Sequence, residues 1–176
     1  MTIIEGKNIN LRLVEIDDAD FILSLRLEKG KFLSNTNPSF EEQKKWIKLY
    51  KERESLKQEY YFIIENKDSL PIGTVRIYDF KFDSFCWGSW VIKNNSPYYF
   101  SIESVMLVYE FAFQFLNFKN SHFDVRKDND SVVSFHKRFG AKIIKEDELD
   151  YFFNFSIEDY QISKIKYKKF LIQNEK

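Results

Sequence analysis

The sequence predicts an α+β fold with a mainly antiparallel central sheet of about six to seven strands, flanked by about four helices. Short segments that alternate apolar and polar residues indicate strands, and longer segments with apolar residues at helical spacing indicate helices. Hydrophobic residues make up 44% and charged residues 31% of 176 residues, which is typical of a globular protein. No internal repeat, low-complexity tract or linker interrupts the chain, so we expect a single domain over residues 1–176.

The first half of the chain predicts a strand, two helices and three strands. The alternating stretch Ile9–Val14 is the first strand, and "DDADFILSLRLEK" is a helix with Asp17 or Asp18 at its N-cap. Ser39 and Glu42 form a capping box that begins the second helix. Three strands follow in "EYYFIIE", "GTVRIYDF" and "SFCWGSWVI", the first two being antiparallel partners.

The second half contains the strongest helical pattern, "SIESVMLVYEFAFQFL". Its apolar residues on one face are Ile102, Val105, Met106, Tyr109 and Phe113. After a short strand "HFDV", a helix is predicted from about Asp130 to Phe139, and Gly140 closes it. The strands "AKIIKE" and "YFFNFSI" follow, and the basic tail after about Glu158 is compatible with a further helix.

Charge and cysteine content restrict the classes of partner. Lys+Arg and Asp+Glu both number 27, so the bulk charge does not favour a nucleic-acid partner. The lone Cys86 excludes an internal disulfide, and neither a signal peptide nor a membrane-spanning run is apparent. We therefore expect a cytoplasmic monomer or homodimer without a metal site and without membrane contacts.

The frame around the predicted helix Asp130–Phe139 resembles the last helix motif of the GNAT N-acetyltransferase superfamily, Asn-x-x-Ala-x-x-Leu-Tyr-x-Lys-x-Gly-Phe. The matching frame consists of Asn129, Val132, Phe135, His136, Arg138, Gly140 and Ala141. The order of elements is also similar to that fold, over roughly residues 8–157. Arg26, followed by "NTNPSFEEQKKW", resembles the amino-sugar and nucleotide-sugar members.

The resemblance implies transfer of an acetyl group from acetyl-CoA to a primary amine of a small molecule, with an amino sugar, including a nucleotide-linked one, as the favoured acceptor. An N-terminal acetyltransferase of the ribosomal-protein type is an alternative. A non-catalytic binding domain is a second alternative. The loop that binds coenzyme A in the family is rich in glycine, whereas the corresponding stretch here, "NNSPYYFSIES", has no glycine. Pro97 also removes one backbone donor there, although the helix dipole and a Ser101 cap remain.

The family's tyrosine, the acid that protonates the departing thiolate, falls at His136. An imidazolium with a reference pKa of ~6.5 serves that role, and a half-exposed helical histidine without a function is the alternative. The resemblance places cofactor contacts at Trp90, Val91, Ile92, Tyr98, Tyr99, Ser101, Asn129 and Phe135. It places acceptor contacts at Arg26, Asn35, Trp46 and Trp87.

Several side chains in this region allow more than one interpretation. Asn129 either binds the pantetheine arm or caps its helix. Strand alternation places Trp87 and Trp90 on opposite faces, so that at most one can line a site. Glu103 either faces the ligand or is solvated on the exposed side of its helix, and we expect the exposed position. The base that deprotonates the amine is not identified by the sequence, and the candidate carboxylates are those of Asp79, Asp83 and Asp124.

Overall fold

The computed structural model describes residues 3–29 and 39–171. Its eight strands form one sheet in the order β1-β2-β3-β4-β5-β6-β8-β7, and every neighbouring pair is antiparallel except β5 and β6. The strands are β1 (Ile3–Glu5), β2 (Ile9–Leu13), β3 (Tyr60–Asn66), β4 (Pro71–Lys81), β5 (Ser84–Ile92), β6 (Asn120–Arg126), β7 (Lys142–Glu146) and β8 (Asp150–Ser156).

Five α-helices accompany the sheet in the described part of the chain. They are α1 (Ala19–Lys29), α2 (Phe40–Ser55), α3 (Tyr98–Glu110), α4 (Asp130–Phe139) and α5 (Ile157–Tyr167). Short 3₁₀ turns, Ile16–Asp18 and Lys168–Phe170, precede α1 and follow α5, and a π-helical turn, Phe111–Phe115, continues α3. None of the helices in residues 3–29 and 39–171 has the length and apolar character needed to cross a membrane.

The predicted architecture, a mainly antiparallel sheet with flanking helices, is confirmed. The sheet has one strand more than the upper predicted number, because β1 has three residues and is too short to show a period. The basic tail forms α5, where Ser156 and Asp159 make a reciprocal capping box. The capping box of Ser39 and Glu42 at the start of α2 is also confirmed.

The beginning of α1 differs from its prediction. Glu15 is the N-cap of the preceding 3₁₀ turn, and the carboxylate of Asp18 accepts a hydrogen bond of 2.8 Å from the Glu15 backbone N–H. Asp18 also forms an ion pair of 2.7 Å with Arg12 on β2. The carboxylate predicted to cap the helix therefore ties this turn to the sheet.

Apolar side chains pack on both faces of the sheet. The larger core lies against α3, α4 and α5, and the smaller one joins α1 and α2 to the opposite face through residues such as Ile22, Ile47, Tyr50 and Ile63. Helix α3 is buried almost all round, from Glu103 to Tyr109. This burial explains why its sequence is more apolar than that of a surface helix.

The prediction that Glu103 is exposed to solvent is wrong. Its side chain is fully buried at 0% exposure, and its carboxylate accepts hydrogen bonds from the backbone N–H of Asn8 at 2.8 Å and from Asn8 Nδ2 at 2.7 Å. The partner lies 95 residues earlier in the chain, in the turn between β1 and β2. Glu103 therefore holds that turn against α3.

Candidate active site

A cleft opens where strands β5 and β6 diverge. The two strands are paired only at Ser84 with Asn120 and at Phe85 with Ser121, and their remaining residues separate. The cleft has a volume of about 650 Å³ and is lined by residues 87–92 of β5, residues 123–126 of β6, Ser101 of α3, and Asn129, Ser131, Val132 and His136 at the start and along one side of α4. A parallel pair that splays apart leaves backbone groups of both strands without ladder partners, so a ligand can bind to them.

A β-bulge in β5 shapes one wall of the cleft. Arg76 pairs with Gly88 and Thr74 with Val91, so Val75 of β4 stands opposite two residues, Ser89 and Trp90. Ser89 has a φ of 47°, in the left-handed region. The hydroxyl of Thr74 donates a hydrogen bond of 2.8 Å to the Ser89 carbonyl oxygen and fixes the bulge.

The bulge corrects the expectation that Trp87 and Trp90 lie on opposite faces. One extra residue reverses the alternation of β5, so both indoles come to the same face, with ring centroids 5.6 Å apart. Trp87 donates a hydrogen bond to the Tyr109 hydroxyl, and Trp90 donates one to Ser104. Both tryptophans line the cleft.

His136 projects from α4 into an aromatic wall of this cleft. Only 4% of the residue is exposed, and its ring lies 4.5 Å from that of Phe123 and 5.3 Å from that of Trp87. Burial among apolar rings lowers the pKa of His136 to about 3, because it disfavours the charged form. The side chain is therefore a neutral imidazole at neutral pH. It is neither the imidazolium that the sequence suggested nor a half-exposed residue.

The glycine-free loop before α3 keeps a left-handed residue. Asn95 has a φ of 63°, and asparagine is among the few residues besides glycine that adopt this region readily. Helix α3 begins at Tyr98 with Pro97 as N-cap, so Ser101 does not cap the helix but lies in its first turn, where it lines the cleft. The first backbone N–H groups of a helix lack intrahelical acceptors, and they suit an anion.

The structure brings most of the predicted cofactor residues together. Trp90, Val91, Ile92, Ser101 and Asn129 line the cleft. Phe135 packs behind the cleft on Trp90 at 5.0 Å, and Tyr98 and Tyr99 stand at the first turn of α3. Asn129 is the N-cap of α4 without a capping hydrogen bond from its side chain. Its amide oxygen accepts a weak hydrogen bond of 3.3 Å from Ser131 instead.

The predicted acceptor residues divide into two groups. Trp87 lines the cleft, whereas Trp46 belongs to α2 on the other face of the sheet, where Arg76 lies 5.2 Å from its ring. Arg26 is half-buried on α1, on the same face as Trp46. Asn35 lies outside the described residues.

The candidate carboxylates occupy different environments. Asp79 is bound by Lys81 and by His122 Nε2, and the Nδ1 atom of the same imidazole is 2.6 Å from Ser84 Oγ. His122 thus bridges β6 to the β4–β5 hairpin, which is a structural role. Asp83 accepts a hydrogen bond from Asn120. Of the three, only Asp124 lines the cleft.

Sequence reasoning did not identify several residues of the site. Thr74 and Ser89 carry no local signal, because the bulge depends on the pairing of two strands. Tyr78 and Arg126 were also missed. Tyr78 is the diagonal neighbour of Gly88 between β4 and β5, and its hydroxyl lies 3.0 Å from the position that a Cβ at Gly88 would take. Within the described residues no cluster of three or more metal-ligating side chains occurs.

The sequence of residues 8–142 matches the family model of the acetyltransferase (GNAT) domain. The chain belongs to the GNAT acetyltransferase family. Its structure superposes on apo FdhC, a nucleotide-linked sugar GNAT, with a TM-score of 0.90 and 43% identity over 97% of this chain and 98% of that chain. As a member of this family the protein is an N-acetyltransferase.

More distant neighbours share the GNAT fold. A putative ribosomal-protein-serine acetyltransferase from Vibrio cholerae is 18% identical over 89% of this chain and 99% of that chain, with a TM-score of 0.72. A chimera of the spermidine N-acetyltransferase SpeG from Vibrio cholerae and hSSAT is 19% identical over 88% and 99%, with a TM-score of 0.76. Among curated proteins, no sequence matches this chain significantly.

Proposed function

We propose that this protein transfers an acetyl group from acetyl-CoA to the primary amine of a nucleotide-linked amino sugar. The observation that carries the proposal is the 43% identity to a nucleotide-linked sugar GNAT over nearly the whole of both chains. The cleft between β5 and β6 supports it, because its volume of about 650 Å³ accommodates an extended ligand.

The residues of the cleft fit acetyl-CoA as the donor, which supplies an acetyl group on a good leaving group. The backbone of residues 90–92, freed from pairing with β6, offers N–H and C=O groups to the pantetheine amides. The N-terminus of α3 with Tyr98 and Tyr99 offers N–H groups to the pyrophosphate. The side-chain amide of Asn129 is available for the pantetheine arm, because it does not cap α4.

His136 acts in this proposal as a neutral hydrogen-bond donor rather than as an acid that loses a full proton. Its imidazole N–H stabilises negative charge on the departing sulfur, and the surrounding rings of Trp87, Phe123 and Phe135 exclude water. A donor in a water-poor pocket stabilises developing charge more than it would in water. This role is compatible with the lowered pKa, whereas an imidazolium is not.

The acceptor approaches, in this proposal, from the face of the sheet that carries α1 and α2. Arg26 is suited to a bidentate contact with a phosphate of the nucleotide, and Trp46 offers an aromatic ring for a base or sugar. The contact predicted between Asn35 and the acceptor stays a prediction. The free thiol of Cys86 fits a cytoplasmic enzyme. A monomer or homodimer stays the expected assembly.

Release of free coenzyme A thiol would test the proposal with three classes of acceptor. We expect turnover with nucleoside-diphosphate-linked amino hexoses and little with spermidine or with a peptide that has an N-terminal serine. Arg26→Ala should raise KM for the nucleotide-linked sugar more than KM for acetyl-CoA. Preference for the peptide or for spermidine would overturn the assignment of the acceptor.

Calorimetric titration with acetyl-CoA separates an enzyme from a non-catalytic binding domain. Binding together with turnover supports the proposal. Absence of binding at millimolar acetyl-CoA contradicts it and favours the degenerate domain. Asn95 supplies a left-handed turn in this loop without a glycine, so we expect binding.

A further inference from the structure

The cleft between β5 and β6 is lined by residues from both faces of the sheet, because neighbouring residues of β6 point to opposite faces. Phe123 packs against His136 at 4.5 Å and against Trp87, on the face of α3 and α4. Because side chains alternate along a strand, Asp124 projects toward the opposite face. Asp124 is exposed and lines the cleft. A donor for the leaving group and a carboxylate thus stand on opposite sides of one gap.

The register of the parallel strands β5 and β6 places Asp124 at the same height along the sheet as the bulge in β5. Phe85 pairs with Ser121, and three residues further along each strand are Gly88 and Asp124, in the part where the strands have separated. Both residues line the cleft. Gly88 immediately precedes Ser89, the residue that bulges, so Asp124 faces the strand segment whose backbone would hold the acyl carbonyl in the proposed reaction.

Tyr78 supplies a hydroxyl on the same face as Asp124. This hydroxyl lies 3.0 Å from the position of a Cβ at Gly88, and the guanidinium of Arg76 stacks on the Tyr78 ring at 4.6 Å. Burial raises the pKa of the phenol above its usual range, and the neighbouring Cys86 and Asp124 side chains add to the rise. Tyr78 therefore keeps its proton. Its O–H interacts with the Cys86 side chain and lies beside the bulge, where an acceptor hydroxyl would compete with the thiol for it.

Other carboxylates near the sheet already have partners. Glu103 is bound to Asn8, Glu59 forms ion pairs with Arg53 and Arg76, and Asp79 is bound by Lys81 and His122. Within residues 3–29 and 39–171, Asp124 is the only carboxylate that lines the cleft, and no described residue forms an ion pair with it. It is available to accept a proton.

From this geometry we infer that Asp124 is the base that takes a proton from the acceptor's ammonium group, and that the Tyr78 hydroxyl orients the acceptor beside Gly88. This inference rests on the proposed function and deepens it by naming the acceptor side of the site. The acceptor class is a primary ammonium flanked by a hydroxyl that can accept the Tyr78 hydrogen bond, which an amino sugar provides.

The proton balance of the step follows from these positions. The ammonium has three protons, and Asp124 takes the first, leaving a lone pair on nitrogen. The N–C bond forms with the acyl carbon, the C–S bond breaks, and the second proton leaves nitrogen and ends on the thiolate sulfur. The third proton remains on the amide product. Asp124 is exposed, so it returns its proton to solvent before the next turnover.

Asp124→Asn tests the base directly, with Asp128→Asn as the matched control, because Asp128 is an exposed aspartate just beyond the same strand and does not line the cleft. We expect Asp124→Asn to lower kcat by about 10²–10⁴-fold with a nucleoside-diphosphate amino hexose. Calorimetric affinity for acetyl-CoA should change less than threefold. Asp128→Asn should behave as wild type in both measurements.

A pH profile distinguishes a base from a structural residue. Without Asp124 only the fraction of acceptor already present as free amine reacts, so kcat/KM of the variant should rise about tenfold per pH unit up to the pKa of the amine. The wild-type dependence should be shallower. Tyr78→Phe should raise KM for the acceptor about tenfold and leave KM for acetyl-CoA unchanged.

The outcomes separate this inference from the proposed function. If the wild type turns over and Asp124→Asn has the same rate, the inference is overturned but the proposed function stands. The same holds if Asp124→Asn has a reduced rate with an unchanged pH profile. Wild-type protein that binds acetyl-CoA but transfers to none of the nucleotide-linked amino sugars overturns both. The variant Asp124→Ala must show the same loss of kcat as Asp124→Asn.

Discussion

The hydroxyl of Thr74 donates a hydrogen bond of 2.8 Å to the carbonyl oxygen of Ser89, the residue at which β5 bulges. Thr74 is 2% exposed and lies on the central strand β4. This contact connects a buried side chain of β4 to the bulge in the wall of the cleft. It holds Ser89 at a φ of 47°, and the bulge in turn brings Trp87 and Trp90 to one face.

We predict that Thr74→Val, which replaces the hydroxyl by a methyl group of similar size, reduces kcat/KM. The Thr74 hydroxyl also hydrogen-bonds the Tyr61 side chain, and each neutral hydrogen bond that is lost costs about 1 kcal/mol of folding stability. Small misplacements of reactive groups can cost up to about 100-fold in rate, so we expect a tenfold to hundredfold loss. Steady-state kinetics and urea unfolding measure the two effects. Thr74→Ser retains the hydroxyl and should recover most of the activity. Equal activity of Thr74→Val and wild type would refute the role of the bulge.

Asn95 provides a second test, at the loop before α3. Its φ of 63° is accessible to glycine without cost, whereas a β-branched residue there is strained by about 1–2 kcal/mol. Asn95→Val should therefore weaken acetyl-CoA binding about fivefold to thirtyfold by calorimetry. Asn95→Gly, the matched control, should bind within about threefold of wild type. Equal affinities for the two variants would show that the loop does not need the left-handed turn for binding.

Sequence patterns identified those parts of the molecule that depend on neighbouring residues. The helix Asp130–Phe139 has the predicted bounds, because its apolar period is regular and Gly140 ends it at a φ of 110°. The capping box of Ser39 and Glu42 is equally local. Strand β1 was not predicted because three residues cannot display a period.

The parts of the site that were not predicted depend on contacts between distant residues. The shared face of Trp87 and Trp90 depends on a hydrogen bond between β4 and β5, 15 residues apart. The neutral state of His136 depends on burial by aromatic rings of β5, β6 and β8. The sequence could place His136 on α4, but it could not show how much water reaches the ring.

Glu103 anchors the β1–β2 turn, and we predict that Glu103→Gln destabilises the fold. A glutamine keeps one acceptor oxygen but turns an NH₂ group toward the Asn8 donors, which are now bonded at 2.8 and 2.7 Å. Hydrogen bonds to charged groups contribute about 1.5–3 kcal/mol each, so we expect a loss of roughly 2–3 kcal/mol in urea unfolding. Asn8→Ala removes only the side-chain donor and should cost less. A neutral Glu103→Gln would contradict the anchoring role.

His136 makes the stability of the fold depend on pH with a defined sign. Its folded-state pKa of about 3 lies below the unfolded value near 6.5. Between these values the unfolded state binds more protons, so stability is complete above about pH 6.5 and falls by about 1.4 kcal/mol per unit as the pH decreases. His136→Phe does not titrate. Relative to wild type it should gain about 2 kcal/mol between pH 7.5 and pH 5 in urea unfolding. A pH-independent difference between the two proteins would contradict the buried neutral imidazole.

The same lowered pKa determines what His136 contributes to the rate. A neutral N–H donor should show no inflection in kcat near pH 6.5, whereas an imidazolium acid would lose activity as the pH rises through that value. Removal of one donor from a preorganised site typically costs about 10²–10³-fold in kcat, which is our expectation for His136→Ala, with acetyl-CoA affinity nearly unchanged. His136→Tyr places a phenolic donor at the position where relatives carry tyrosine and should restore part of kcat. If His136→Ala keeps the wild-type kcat while remaining folded, the imidazole only fills space among the rings. If kcat of the wild type shows an inflection near pH 6.5 that His136→Tyr lacks, the imidazolium would instead be the acid.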